Sequence, residues 1–221
     1  DAWEVGAKTN WLGGALTLNM TYYHMSIEGL QLSTQLPGAI PAFSVDNAAD
    51  TTSQGIELDG AWKINEYLTL GGNFSYTDAT YDSFPGAEAC PPGVTPAPDG
   101  TCDLVGFPLI FAPEIKTSVY ADLYVADVYE EWDVAVHGDI NYSDDAFTDI
   151  SYVPNTIADS HTIYNASIRI VSPSENYSLA LLVKNIGDEV YCAWCVPSGP
   201  NIIATANTPR EISLRFTAKF D

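Results

Sequence analysis

The side chains best able to do chemistry in this sequence are four cysteines, three histidines and a large surplus of carboxylates. Cys192-Ala193-Trp194-Cys195 has C-x-x-C spacing. Redox work by such a pair needs a thiolate of lowered pKa, commonly at a helix N-terminus. Here the segment runs from a strand into a loop. Zinc needs knuckle-spaced ligands, which Cys90 and Cys102 do not supply. Local pairing, Cys90 with Cys102 and Cys192 with Cys195, closes the shortest loops, and we expect two disulfide staples in an oxidising compartment. His24, His137 and His161 fall on separate predicted strands without metal-ligand spacing. Asp144, Asp145, Asp149 and Asp159 enrich one loop in oxygen, but their spacing is not that of an EF-hand. A solvated acidic loop is the simpler reading. No nucleophile–base pair and no Gly-rich phosphate loop stands out. We expect no catalytic residues, no cofactor and no metal, hence no enzyme.

The elements that must carry these residues read as strands. In the last segment Ile212, Leu214, Phe216, Ala218 and Phe220 alternate with Glu211, Ser213, Arg215, Thr217 and Lys219. A pleated strand sends the two sets to opposite faces. The same alternation recurs upstream, as in Ile56, Leu58, Gly60, Trp62 and Ile64 against Glu57, Asp59, Ala61 and Lys63. Period two predicts strands over 2–12, 15–30, 51–64, 67–81, 114–125, 132–143, 161–171, 177–185 and 210–220. On the polar face, Glu57, Asp59, Tyr120, Asp122, Tyr124, His137, Asp139 and Arg169 are the candidates to meet a ligand or an internal domain.

The connections alternate in length. Short ones lie at Gly13-Gly14, Asn65-Glu66, 126–131 and 172–176; long ones lie at 31–50, 82–113, 144–160 and 186–209. Outer-membrane barrels have short periplasmic turns and long extracellular loops. With the short turns set in the periplasm, Trp11, Trp62, Tyr67, Trp132, Tyr177 and Phe220 fall near that end of their strands. Tyr22, Tyr76, Tyr81 and Tyr142 fall near the other, giving two aromatic girdles around an apolar band.

Composition agrees. The chain has 8 Lys and Arg against 29 Asp and Glu, a net charge of −21. That excludes a nucleic-acid binder, which needs a basic surface. The acidity fits a solvated surface, or a set of loops that concentrates cations. No run approaches the roughly 20 apolar residues of a membrane helix, and no signal peptide opens the chain. A sheet in hydrocarbon must close on itself, and single-chain bacterial barrels normally have even strand numbers. Nine strands, the first beginning at the N-terminus, therefore suggest that further strands precede Asp1. A passive porin or structural barrel subunit is the alternative within the membrane. A secreted all-β binding domain, its apolar face covered by a second sheet, is the alternative outside it.

Two stretches resemble TonB-dependent receptors. Val183-Lys184-Asn185-Ile186-Gly187-Asp188-Glu189-Val190-Tyr191 is similar to that family's penultimate-strand motif. Pro209-Arg210-Glu211, with the alternating strand to Phe220, is similar to its closing strand. Gly55-Ile56-Glu57-Leu58, preceded by Asn47 at the end of a loop, resembles another strand start of the family. The family usually ends on its aromatic residue, whereas here Asp221 follows. The resemblance implies an all-β, antiparallel transmembrane barrel of the 22-stranded, plugged type, with residues 1–221 as the C-terminal portion. It also implies an N-terminal plug, a TonB complex acting through it, outer-membrane lipid around it, and uptake of a scarce small molecule such as a siderophore, vitamin or saccharide. The intact protein should show no free thiols when alkylated without reductant and analysed by mass spectrometry. Four alkylated cysteines would contradict the two staples.

Overall fold

The computed structural model describes residues 1–36 and 42–220. The alternating segments form β1 (Ala2–Trp11), β2 (Leu16–Leu36), β3 (Ala42–Lys63), β4 (Leu68–Ser83), β5 (Ile115–Tyr129) and β6 (Trp132–Ser143). Two short strands follow, β7 (Ala146–Phe147) and β8 (Ile157–Ala158). Then come β9 (His161–Val171), β10 (Tyr177–Lys184), β11 (Cys192–Ser198), β12 (Asn201–Ala206) and β13 (Glu211–Ala218). Nine of these make one antiparallel sheet in the order β1-β2-β3-β4-β5-β6-β9-β10-β13. Its neighbours follow one another in sequence, as in an up-and-down barrel wall. β1 and β13 are its two edges.

Register carries the alternation across the sheet. One row joins Leu68, Leu123, Val136, Ile168, Leu181 and Leu214. Another, on the opposite face, joins Lys8, Asn19, Asp59, Asn73, Ser118 and Asn141. The apolar face is not covered by protein: Ile212, Leu214 and Phe216 are each 66–69% exposed. No second sheet buries it among the described residues, which removes the sandwich reading. The sheet is held by its backbone ladder and by cross-strand pairs.

The short turns are locally specified. Asn65 Oδ1 accepts from the amides of Tyr67 and Leu68 at 2.8 Å each, an Asx turn. Glu130 and Glu131, with φ of 48° and 63°, turn the chain between the paired Tyr129 and Trp132. That is the left-handed geometry of a two-residue hairpin turn, and Gly or Asn would fit it with less strain. A ring packed against the backbone accounts for one glycine on the polar face. A Cβ at Gly71 would run into the ring of Tyr120, which lies directly over it.

Three expectations need correction. The first long connection is mostly strand: β2 runs on to Leu36 and β3 begins at Ala42, so Asn47 lies inside β3 and not at a loop end. The hairpin continues because its backbone groups still find partners beyond the irregularity between Ile27 and Gln31. Tyr81 is not a girdle residue. Its register parity puts it on the polar face with Asn73 and Thr77, and it is 2% exposed. The closing strand ends at Ala218, so Phe220, 86% exposed, lies beyond it. Asp221 lies outside the described residues.

The buried core sits at the long-loop end. Tyr81, Phe84, Ala87, Leu104, Ala49 and Tyr152 pack together, with Phe107, Leu109 and Phe147 against them. The connection 84–114 folds back along β4: Gly106 N donates to Tyr81 O at 2.8 Å, and Leu109 N to Ala79 O at 2.8 Å. Phe84→Ala should loosen this cluster by about 3–5 kcal/mol, the usual cost of emptying a buried aromatic site. Hydrogen exchange should then quicken at Gly106, Phe107 and Leu109 while the amides of β5 and β6 stay protected. Unchanged exchange at Leu109 would contradict this placement of the core.

Candidate functional site

All eight candidate residues lie on the polar face, because each is an even number of residues from a registered polar neighbour. The sheet does not gather them into one site. It makes a central knot, an isolated pair and a recess near the short turns. In the knot, Asp122 and His137 are direct partners across β5 and β6, as are Tyr120 and Asp139. His137 Nδ1 lies 2.7 Å from Asp122 Oδ1, and its Nε2 lies 3.1 Å from Asp139 Oδ1. Carboxylates only accept, so both contacts are hydrogen bonds when the ring carries two protons. Tyr120 stacks on the imidazole with ring centroids 6.1 Å apart. Asp139 Oδ2 accepts from Asn141 Nδ2 and, at 2.7 Å, from Asn165 Nδ2. The knot is a hydrogen-bonded patch of wall.

Asp59 stands apart, accepting from Asn19 Nδ2 at 2.8 Å, and Glu57 lies one row nearer the long loops, in the row of Lys116. Tyr124 bonds Asp133 Oδ2 at 2.5 Å. Both border the recess at the short-turn end, together with Arg169. No group of three or more metal-ligating side chains occurs among the described residues. The acids of 144–160 act as local caps: Asp149 Oδ1 accepts from Ser151 N at 2.9 Å, and Asp144 Oδ1 from Asp145 N at 3.1 Å.

The long connections carry the second part of the site. Cys90 is bonded to Cys102, and Cys192 to Cys195. The fourth connection forms the β11–β12 hairpin, which sequence reading missed, although Ser198-Gly199-Pro200 marks its turn. Thr148, 2% exposed, ties two connections together. Its hydroxyl accepts from Cys195 N at 3.0 Å and donates to Cys195 O at 2.7 Å or Thr156 O at 2.9 Å. Tyr152 Oη bonds Pro108 O across to a third connection at 2.5 Å, and burial pushes its phenol well above the ordinary tyrosine range. The joined loops form one cap. Nothing in the sequence marked Thr148 for this role.

Where the cap meets the wall, Tyr191 stacks on His161 with centroids 3.5 Å apart. Lys116, Asn141, Asn73 and Ser143 line the same cavity of about 530 Å³. The arrangement can bind a small polar ligand through an ammonium, carboxamides and stacked rings. The four long connections contain no Lys or Arg, although each contains Asp. Their field therefore favours cations over anions at that end.

The sequence of residues 1–186 matches the family described as "TonB dependent receptor-like, beta-barrel". No curated protein matches the chain in sequence. Among solved structures, the ferric yersiniabactin uptake receptor FyuA of Yersinia pestis aligns with all of the chain at a TM-score of 0.76 and 14% identity. The ferric-catecholate import receptor Fiu of E. coli K12 aligns with 99% of it at 0.67 and 18%. The ferric preacinetobactin receptor BauA of Acinetobacter baumannii aligns with 99% at 0.66 and 17%. The chain spans 30%, 27% and 29% of these proteins respectively. At this identity the likeness is one of fold. Thr148→Val should leave Cys195 N without its buried partner, at a cost of about 1–3 kcal/mol. Amide exchange at Cys195 should rise, with that of Leu181 unchanged. Equal protection in both proteins would show that Thr148 does not hold the cap.

Proposed function

Because the chain belongs to the TonB-dependent receptor β-barrel family, we propose that it is wall and cap of an active-uptake receptor in the bacterial outer membrane. The observation that carries this is the sheet's strict division into an apolar face, exposed to about 40% or more along Leu58, Leu181 and Leu214, and an opposite face of Asp, Asn, His and Ser. Lipid covers the first. The second lines the lumen. Further strands close the barrel between β13 and β1, and a plug domain fills it.

On this reading the short turns are periplasmic and the stapled cap is extracellular. The cavity beside Lys116, His161 and Tyr191 receives the ligand, and the wall from Glu57 to Asp139 meets ligand or plug. The names of the aligned receptors, each describing a ferric chelate, favour a siderophore complex over a vitamin or saccharide. Energy arrives through TonB acting on the plug. A passive porin uses the same wall without that coupling, so the two separate in one measurement. Bacteria expressing the full-length receptor should take up an iron-55 siderophore complex, and a protonophore should abolish the uptake. Uptake that survives the protonophore would sink the proposal in favour of a passive pore. Leu181→Arg should impair assembly, since arginine on the lipid face costs about 2–4 kcal/mol near mid-bilayer. Ser118→Arg, on the lumen face, should not.

A further inference from the structure

The stretch from Asn185 to Tyr191 follows β10 and lies outside the nine-stranded sheet. Asn185 has a φ of 49°, a left-handed conformation that asparagine adopts more readily than most residues. It is 4% exposed. Its carboxamide accepts from Glu189 N at 2.9 Å and donates to Glu189 O at 2.8 Å and Thr208 O at 3.2 Å. Asn207 grips the same stretch from the far end of the β11–β12 hairpin. Its Oδ1 accepts from Tyr191 N at 3.0 Å, and its Nδ2 donates to Glu189 O at 2.9 Å and Thr208 O at 3.2 Å. The main chain closes the bridge, with Asn207 N donating to Tyr191 O at 3.2 Å. The clamp is anchored in the wall, where Asn185 N donates to Asn165 Oδ1 of β9 at 2.9 Å.

One side chain hangs from the clamped stretch over the cavity. The Tyr191 ring lies parallel to that of His161, 11° off, with centroids 3.5 Å apart. Both rings line the cavity that holds Lys116, and neither asparagine does. Tyr191 precedes the first residue of β11 and stands outside the buried cluster around Phe84. Sheet and core therefore do not order it, and the carboxamides do. We propose that Asn207, braced by Asn185, is a positioning residue of the ligand cavity: it holds the main chain at Tyr191 so that the ring is in place on His161 before ligand arrives. This rests on the reading that the cavity beside Lys116 receives the ligand. A ring ordered in advance loses no rotamer freedom on binding. Loss of the clamp therefore weakens capture and leaves the later transport step intact.

Full-length receptor carrying carbon-13 histidine, in detergent micelles, tests the placement of the ring. The His161 resonance is assigned by its loss in His161→Gln. Tyr191→Leu moves it by removing the ring current of the stacked phenol. Asn207→Leu, which keeps the size of the side chain and loses its hydrogen bonds, should move it to the same position. Arg210→Gln should not, because Arg210 bonds Asp188 and Ile186 O, half-exposed at the same turn. Heat-modifiable migration and an unmoved His137 resonance establish that the barrel has formed. Where Asn207→Leu fails to assemble, Asn207→Ala is read in the same way. In cells, iron-55 complexes of a hydroxamate, a catecholate and a citrate chelator are offered in turn. For a complex that is taken up, the Asn207 variant should raise the half-saturating concentration about threefold to tenfold, the scale of one aromatic contact, and keep the maximal rate. A His161 resonance that stays at its unaltered position in the Asn207 variant would overturn the proposal, as would an unchanged half-saturating concentration. If the unaltered receptor takes up none of the three complexes, the uptake reading fails, and the His161 resonance still decides whether Asn207 places the ring.

Discussion

The constraint on which the rest depends is that hydrocarbon offers a backbone amide no partner. Every N–H and C=O in the spanning region must be met by another strand. That requirement explains the unbroken ladder from β1 to β13, the direct sequence-neighbour order and the near absence of irregularity within the spanning rows. It also explains why the sheet needs no core of its own. In water, an apolar face this exposed would drive burial against a second layer. In a bilayer it is already in its preferred solvent. Among the described residues, the one buried cluster forms where strands and loops rise clear of that region, around Phe84 and Leu104.

Polar chemistry is arranged by the same register. Because side chains alternate, the charged residues between the two aromatic rows, such as Glu57, Asp59, Asp122 and Asp139, are committed to the inner face. There it must be satisfied by neighbours or by a guest. The Asp122–His137–Asp139 knot is satisfied internally and behaves as structure. Among the described residues, Lys116 beside the His161–Tyr191 stack and the arginines opposite Ala180 have no ion-pair partner. The division is between residues that finish the wall and residues that leave it open to something else.

How much was legible follows from the physics of each region. Period two exposed the sheet because one face meets lipid and the other water. β6 and β9 agree with expectation residue for residue. The cysteine pairs were legible because proximity in sequence limits where short loops can go. Beyond the membrane the rule no longer applies. Tyr81 looked like an interfacial aromatic, yet it belongs to a small water-soluble core whose partners, Phe84 and Tyr152, come from two different connections. The extension of β2 and β3 and the β11–β12 hairpin were hidden for a similar reason: outside lipid, strand and loop compositions overlap. Thr148 was invisible, since one hydroxyl placed by two loops leaves no periodic trace.

That hydroxyl has a consequence for how such receptors diversify. Thr148 meets Cys195 and Thr156, Tyr152 meets Pro108, and Phe111 N meets Phe147 O at 2.8 Å. Three of the four long connections therefore share their boundaries. A loop graft that replaced one of them would strand buried groups in the other two, so the unit that recombination can exchange without repair is the trio. New specificity would then arise by point substitution on the trio's inner surface, or by inheritance of the whole cap, more readily than by shuffling single loops.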